Sequence, residues 1–156
     1  MLRAMTVEVT VTTVEPTPTA VVATATTWVE FPKMWGPMLD QVWSFLRGGA
    51  PDGLYKHGHN VMLYKDDVPH VEVGVQVSGS FAPAGDVVAS TLPGGLAVTA
   101  THSGPIAKIG DTHQAVCEWS KAKGYRLAGP RWEIYGDPDP LTGDFDVDVF
   151  WSLAAT

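Results

Sequence analysis

The chain has 156 residues, of which 45% are hydrophobic and 17% charged, so its composition excludes a disordered protein and is that of one domain of ordinary size. Its single cysteine, Cys117, excludes a disulfide framework and a multi-cysteine metal site and suits a reducing compartment. The 10 basic and 17 acidic residues give a formal net charge of −7, which repels phosphate backbones and argues against direct nucleic-acid binding.

The first half of the chain predicts the order strand, strand, helix, strand, strand. Valines at alternate positions over 7–11 have the period of a strand, and the prolines in 15–18 are expected to break it. From Trp35 the apolar residues recur at helical spacing, and Gly48-Gly49 ends the helix. The predicted elements are strands near 6–12 and over 20–26, a helix over 35–46, and strands over 60–64 and 71–77.

The second half repeats this order. Its predicted elements are strands over 86–92 and 96–101, a helix marked by Ile109, His113, Val116 and Trp119, and strands over 132–135 and 145–151. The segment 121–124 places basic residues and a glycine where a helix C-terminus favours them.

The repeated order indicates an internal duplication, with one repeat near residues 6–79 and the other near 85–153. Leu63-Tyr64 in the first repeat aligns with Ile134-Tyr135 in the second. Each half alone is too small to bury both faces of its strands, whereas two halves related by a pseudo-twofold axis would share one core. The sequence therefore predicts a single α+β domain over 1–156, with an eight-stranded antiparallel sheet, two main helices and a ligand crevice along the axis.

The second half also carries an ordered series of short motifs, namely Leu92-Pro93-Gly94-Gly95, His102-Ser103-Gly104-Pro105, Glu118-Trp119, Gly124-Tyr125, Gly129-Pro130-Arg131-Trp132-Glu133-Ile134-Tyr135 and Asp137-Pro138. This series resembles the GyrI-like small-molecule-binding domain, also called the AraC-type effector-binding module. The resemblance implies a two-repeat fold with a ligand pocket between the repeats, and an acidic residue on the strand 132–135 that meets cationic, aromatic drugs there. Members of that family occur behind DNA-binding segments or alone, and a first strand near residue 6 leads us to expect a stand-alone domain.

Glu133 is the leading candidate for the pocket carboxylate. Strand alternation places Arg131, Glu133 and Tyr135 on one face. A carboxylate inside an aromatic cavity needs a partner, because an unpaired buried charge costs several kcal/mol, and a bound organic cation can be that partner. The alternative is a structural pair between Arg131 and Glu133. In the duplication Glu133 aligns with Met62, so the site is expected to carry one acid.

Other side chains are expected to line the crevice, with ordinary core packing as the alternative. Trp28, Met34, Trp35 and Met38 lie at the strand-to-helix junction of the first repeat, and methionine adapts to ligands of varied shape. The full set of predicted ligand-binding residues is Glu133, Tyr135, Arg131, Trp28, Met34, Trp35, Met38, Met62 and His102.

Two further groups of residues resemble parts of a metal site or of a catalytic triad, but neither is complete. No metal and no cofactor are therefore expected. His57-Gly58-His59 lacks a third ligand at a suitable spacing, so a metal site is not expected there. His102, Ser103 and Asp111 are residue types of a catalytic triad, but no nucleophile elbow accompanies them.

Three functions remain open at this stage. The first is a stand-alone protein that binds, sequesters or senses hydrophobic, cationic small molecules. The second, implied by the resemblance, is a hydrolase of strained cyclopropane-bearing or ester natural products, with Glu133 and Tyr135 as proton carriers. The third, also implied by the resemblance, is a protein inhibitor of a DNA-handling enzyme such as gyrase, acting through the acidic segments 66–67 and 137–148. The protein partners expected at this stage are therefore a gyrase-like target or a separate regulator.

The chain contains no recognisable membrane or targeting segment. No stretch approaches the roughly 20 apolar residues of a membrane span, and Glu8 and the threonines interrupt any apolar run near the N-terminus. A cytoplasmic protein without membrane contact is therefore expected, and the family resemblance implies that it is bacterial.

Overall fold

The structure, a computed structural model, describes residues 7–154. Its elements are β1 (Thr10–Val14), β2 (Thr17–Ala25), α1 (Phe31–Gly48), β3 (Asn60–Tyr64), β4 (His70–Gln76), β5 (Val88–Leu92), β6 (Gly95–His102), a 3₁₀ turn (Ile106–Lys108), α2 (Ile109–Ala122), β7 (Leu127–Tyr135) and β8 (Val147–Leu153). The eight strands form one sheet in which every pairing is antiparallel, so the expected α+β class is confirmed. Residue 6, the expected start of the first strand, lies outside the described residues.

The strand order is β1-β6-β8-β7-β3-β4-β2-β5, and it reads the same from either edge when β1–β4 are exchanged with β5–β8. The first strand of each repeat pairs with the second strand of the other repeat: β1 pairs with β6, and β5 pairs with β2. The two repeats are therefore interlocked by strand exchange rather than placed side by side.

The two repeats meet at the centre of the sheet, where β3 pairs with β7. Met62 and Glu133, the two positions that the duplication aligns, are direct cross-strand partners in this ladder. The pseudo-twofold axis consequently runs between these two residues.

Both helices lie on the same face of the sheet and leave its centre open. α1 packs against β2 and β4, whereas α2 packs against β6 and β8. The central strands β3 and β7 therefore form the floor of a groove between the helices. Neither helix within residues 7–154 is long and apolar enough to cross a membrane.

The helix α1 begins at Phe31, four residues before the expected start at Trp35. Pro32 stands in its first turn, where a missing N–H costs no intrahelical hydrogen bond and the fixed φ suits a helix. Phe31, Met38 and Val42 are the buried residues of α1 and anchor it on the sheet. At the other end, the N–H of Gly49 donates to the carbonyl of Phe45, which closes the helix.

The expected proline break between β1 and β2 is shorter than the sequence indicates. β2 begins at Thr17 and includes Pro18, whose carbonyl accepts a hydrogen bond from the N–H of Val77 at 2.9 Å. A proline near the start of a strand costs little, because only its missing N–H is lost to the ladder.

Candidate functional site

The groove between the helices contains two adjoining cavities. The larger, of about 560 Å³, is lined by Phe31, Pro32, Trp35, Leu39, Asn60, Met62, Tyr64, Ile106, Ala107, Ile109, Glu133, Tyr135 and Phe145. The smaller, of about 340 Å³, is lined by Trp28, Phe31, Pro32, Tyr64, Ile109, Gly110, His113, Arg131, Glu133 and Trp151. Glu133 borders both cavities and, among residues 7–154, is the only acidic residue in either lining.

Glu133 lies on β7, is 3% exposed and accepts three hydrogen bonds. Its Oε1 accepts from the hydroxyls of Tyr135 at 2.6 Å and Tyr64 at 3.0 Å. Its Oε2 lies 2.7 Å from Nε2 of His113. A carboxylate offers about four lone-pair directions, so these contacts hold the group in one orientation and leave acceptor capacity for a ligand.

The two tyrosines supply neutral hydroxyl donors. Burial, followed by the neighbouring Glu133 carboxylate, raises the pKa of Tyr135 well above its ordinary value of 10.0. The same causes, in the same order, raise the pKa of Tyr64. Both hydroxyls therefore stay protonated at neutral pH and donate to Glu133.

His113 on α2 connects Glu133 to β8. The indole Nε1–H of Trp151 donates to Nδ1 of His113 at 3.0 Å. Because an indole N–H is only a donor, Nδ1 must accept with its lone pair, and the ring proton must lie on Nε2, where it is donated to Glu133. Trp151, His113 and Glu133 thus form a directed chain of hydrogen bonds.

Arg131 does not pair with Glu133, contrary to the alternative that the sequence left open. Its Nη2 lies 2.8 Å from Oδ1 of Asp67, and its Nη1 donates to the carbonyl of Gly129 at 3.0 Å. The guanidinium also lies over the rings of Trp151 and Trp28, at 4.8 and 5.6 Å from their centroids. With the guanidinium stacked on these two rings, its Nη2 faces Asp67 in the turn between β3 and β4, and Arg131 therefore pairs with Asp67 rather than with Glu133.

Among residues 7–154, no lysine or arginine nitrogen lies within 4.0 Å of the Glu133 carboxylate. Its close partners there are two tyrosines and the neutral His113. The described site therefore holds a buried carboxylate with hydrogen-bond donors but without a cation.

Other predicted residues divide between the cavities and the core. Trp35, Met62 and Tyr135 line the larger cavity, and Trp28 and Arg131 line the smaller one.

Met34, Met38 and His102 are not among the residues that line either cavity in the described part of the chain. On α1, Trp35 and Leu39 lie on the groove side, whereas Met38 faces the sheet and is 5% exposed. Met34 packs against the same core and contacts the hydroxyl of Thr26.

His102 is buried near the end of β6. One ring nitrogen lies 2.8 Å from the hydroxyl of Thr112, and the other lies 2.9 Å from the carbonyl of Pro105. Both ring nitrogens of His102 therefore have partners within the fold.

Sequence reasoning missed Tyr64, His113 and Trp151 as members of the site. Two signals were present: Tyr64 aligns with Tyr135 in the duplication, and His113 is the polar member of the apolar helix stripe that contains Ile109 and Val116. Nothing in the local sequence marks Trp151, because its partner is 38 positions away.

The fold is similar to that of three solved proteins. The C-terminal domain of EcmrR has a TM-score of 0.79 and 16% identity, with 97% of this chain and 100% of that chain covered. In an EcmrR–DNA complex (TM-score 0.75, 16% identity) the similarity covers 96% of this chain and 58% of the EcmrR chain. SAV2435 bound to tetraphenylphosphonium has a TM-score of 0.69 and 10% identity, covering 95% and 94% of the two chains. A hydrolase from Listeria innocua has a TM-score of 0.58 and 11% identity, covering 94% and 92%.

At these identities the solved structures establish the fold alone. No curated protein sequence has significant similarity to this chain. A family model described as the GyrI-like small molecule binding domain matches residues 7–154, which is nearly the whole chain. This match agrees with the motif series in the sequence and with the observed fold. The chain therefore belongs to the GyrI-like small-molecule-binding domain family.

Proposed function

We propose that this domain binds lipophilic organic cations in the groove between α1 and α2, with Glu133 as the counter-charge. The observation that carries the proposal is the buried Glu133 carboxylate, which within residues 7–154 has three hydrogen-bond donors but no lysine or arginine partner. A buried charge without a partner of opposite sign is costly, and a bound cation would remove much of that cost.

The walls of the groove suit the apolar body of such a ligand. The larger cavity has a volume in the range of drug-sized pockets, and most of its lining is aromatic or aliphatic. Aromatic rings such as Trp35 and Phe31 can add roughly 0.5–2 kcal/mol each when a cation lies over their faces. The structure of SAV2435 bound to tetraphenylphosphonium, whose fold is similar, supports this class of ligand.

A calorimetric titration of the variant Glu133→Gln tests the proposal. Tetraphenylphosphonium and its neutral relative triphenylphosphine oxide are compared on the same protein. We expect the variant to bind the cation more weakly by about 1.5–3 kcal/mol, because a charge-assisted contact is lost, and to bind the neutral compound nearly as well as before.

Glu118→Gln is the matched control, because it removes the same charge from an exposed position on α2. The control should bind both compounds as the wild-type protein does. Equal losses for the two compounds in Glu133→Gln would contradict the assignment of Glu133 as the counter-charge.

A second candidate is hydrolysis, which is favoured by the 2.6 Å contact between the Tyr135 hydroxyl and the Glu133 carboxylate. The two groups could exchange a proton with a bound substrate. Incubation with an activated ester or a cyclopropane-bearing alkylator, followed by mass spectrometry, distinguishes this activity from binding. Multiple turnovers that disappear in Glu133→Gln would favour the hydrolase, whereas we expect binding alone.

The groove would serve sequestration or effector sensing equally well. In the second role the ligand would act through a separate regulator, and the relation to the EcmrR domain supports that possibility. Both roles require the same cation site.

A further inference from the structure

The hydrogen-bond chain through His113 fixes the charge of the imidazole. The ring is 18% exposed and lies between Nε1 of Trp151 at 3.0 Å and Oε2 of Glu133 at 2.7 Å. A second ring proton would have to lie on Nδ1, directly opposite the indole N–H. Two donors would then face each other, so the bond from Trp151 opposes protonation of His113.

We propose that Trp151 and His113 are positioning residues that preserve the cation site by keeping the imidazole neutral beside Glu133. This inference rests on the proposed function of the groove. A protonated His113 would itself be the cationic partner that Glu133 otherwise takes from the ligand. The organic cation would then compete with a proton for the same carboxylate, and Trp151 biases that competition toward the ligand.

Five other titratable or charged groups lie around this chain of hydrogen bonds. They are Tyr64 on β3, Tyr135 and Arg131 on β7, Asp67 in the β3–β4 turn, and Cys117 one turn further along α2. Arg131 and Asp67 are paired with each other. The pKa values of both tyrosines are raised by burial, as is that of the Cys117 thiol. Histidine is the residue type that gains a charge between pH 8 and 5.

The test measures the affinity for tetraphenylphosphonium from pH 5.5 to 9 in the wild-type protein and in Trp151→Phe. The probe carries a fixed charge, so any dependence on pH belongs to the protein. We expect the affinity of the wild-type protein to depend less on pH than the affinity of Trp151→Phe. In Trp151→Phe, which keeps an aromatic ring but removes the donor, binding should weaken as the pH is lowered, with about tenfold weaker binding at pH 7 than at pH 9.

A double variant separates this role from packing, since Trp151 also lies against Arg131. In Trp151→Phe/His113→Gln, the glutamine amide can donate to Glu133 but never becomes a cation. Binding at pH 7 should return toward the wild-type value and lose its dependence on pH. A double variant as weak as the single one would overturn the inference, because packing alone would then explain the effect of Trp151.

Nitrogen-15 NMR of the imidazole reports the tautomer directly. At pH 7 we expect His113 to be neutral with its proton on Nε2 in the wild-type protein and to be protonated in Trp151→Phe. A wild-type ring that is charged, or protonated on Nδ1, would overturn the inference. Binding with the same pH profile in wild type and Trp151→Phe would overturn the inference alone, whereas no binding by the wild-type protein at any pH would overturn the proposed cation site as well.

Discussion

Tyr64 and Tyr135 occupy matching positions in the two repeats and converge on the residues of the pseudo-twofold axis. Both hydroxyls donate to Oε1 of Glu133, and they lie 3.6 and 3.5 Å from the sulfur of Met62. Glutamates at both axis positions would place two carboxylates directly opposite each other on neighbouring strands, where like charges repel. One acid and one methionine therefore suit a carboxylate site on this axis.

The buried tyrosines should make the protein sensitive to alkali. Their raised pKa values mean that the unfolded chain loses these protons above pH 10 while the folded protein keeps them. The stability from this source is fully present below pH 10 and is lost as the pH rises toward the folded pKa. In Tyr135→Phe, the free energy of unfolding should fall with pH above 10 less steeply than in the wild-type protein, by about 1.4 kcal/mol per pH unit.

Urea titrations at pH 8, 10 and 11 measure this slope. Tyr125→Phe, which alters a tyrosine that is 43% exposed, is the matched control. A slope in Tyr135→Phe equal to that of the wild-type protein would contradict the expected proton linkage.

At the scale of secondary-structure elements, the phase of each element decides which side chains face the groove. The alternation of β7 places Glu133 and Tyr135 in the cavity lining, as expected from the sequence. On α1, Trp35 and Leu39 face the groove while Met38 faces the sheet. A strand has only two faces to choose from, whereas a helix distributes its residues around the axis, so α1 was harder to orient from the sequence.

The central glycine of β4 should be intolerant of substitution. A Cβ on Gly74 would lie 1.8 Å from the carbonyl oxygen of Ala20 on β2, so one strand would have to move. We expect Gly74→Ala to lower the free energy of unfolding by about 3 kcal/mol or to prevent folding.

Gly48→Ala at the exposed end of α1 is the control, because a Cβ there has no neighbour within 4 Å. It should be neutral or stabilising by up to about 0.5–1 kcal/mol. Urea unfolding of the two variants checks both values, and a Gly74→Ala protein as stable as the wild type would show that β2 and β4 can separate there without cost.

At the scale of the whole molecule, strand exchange makes the two repeats depend on each other. β1 completes the second half of the sheet and β5 completes the first. The hydrophobic core on the helix side of the sheet is also divided between the repeats, with one buried cluster under α1 and another under α2. A third cluster on the opposite face includes Leu92 from β5 and residues of the central strands.

Removal of residues 1–15 should therefore disturb the second repeat more than the first. The deletion takes away β1, whose pairing partner is β6 over Gly95–His102. Hydrogen–deuterium exchange with mass spectrometry should show faster exchange in β6 than in β2, although β2 is adjacent in sequence to the deleted segment. The prediction would be wrong if exchange accelerated first in Thr17–Ala25.

The sequence by itself determined the element order, the fold class and the place of Glu133 and Tyr135 on one face of β7. These features depend on periodicity within short segments, which alternation and helical spacing express directly. The aligned repeats also indicated a single acid on the axis, opposite Met62.

Only the tertiary structure decided which groups meet that acid. Glu133 contacts Tyr64 at a separation of 69 positions, and Trp151 contacts His113 at 38, so no local pattern could pair them. The pairing of Arg131 with Asp67 also depends on the tertiary structure, because Asp67 lies in the turn after β3, the strand that neighbours β7. Contacts of this kind depend on strand order and on the direction of each side chain after folding, and strand exchange between the repeats sets both.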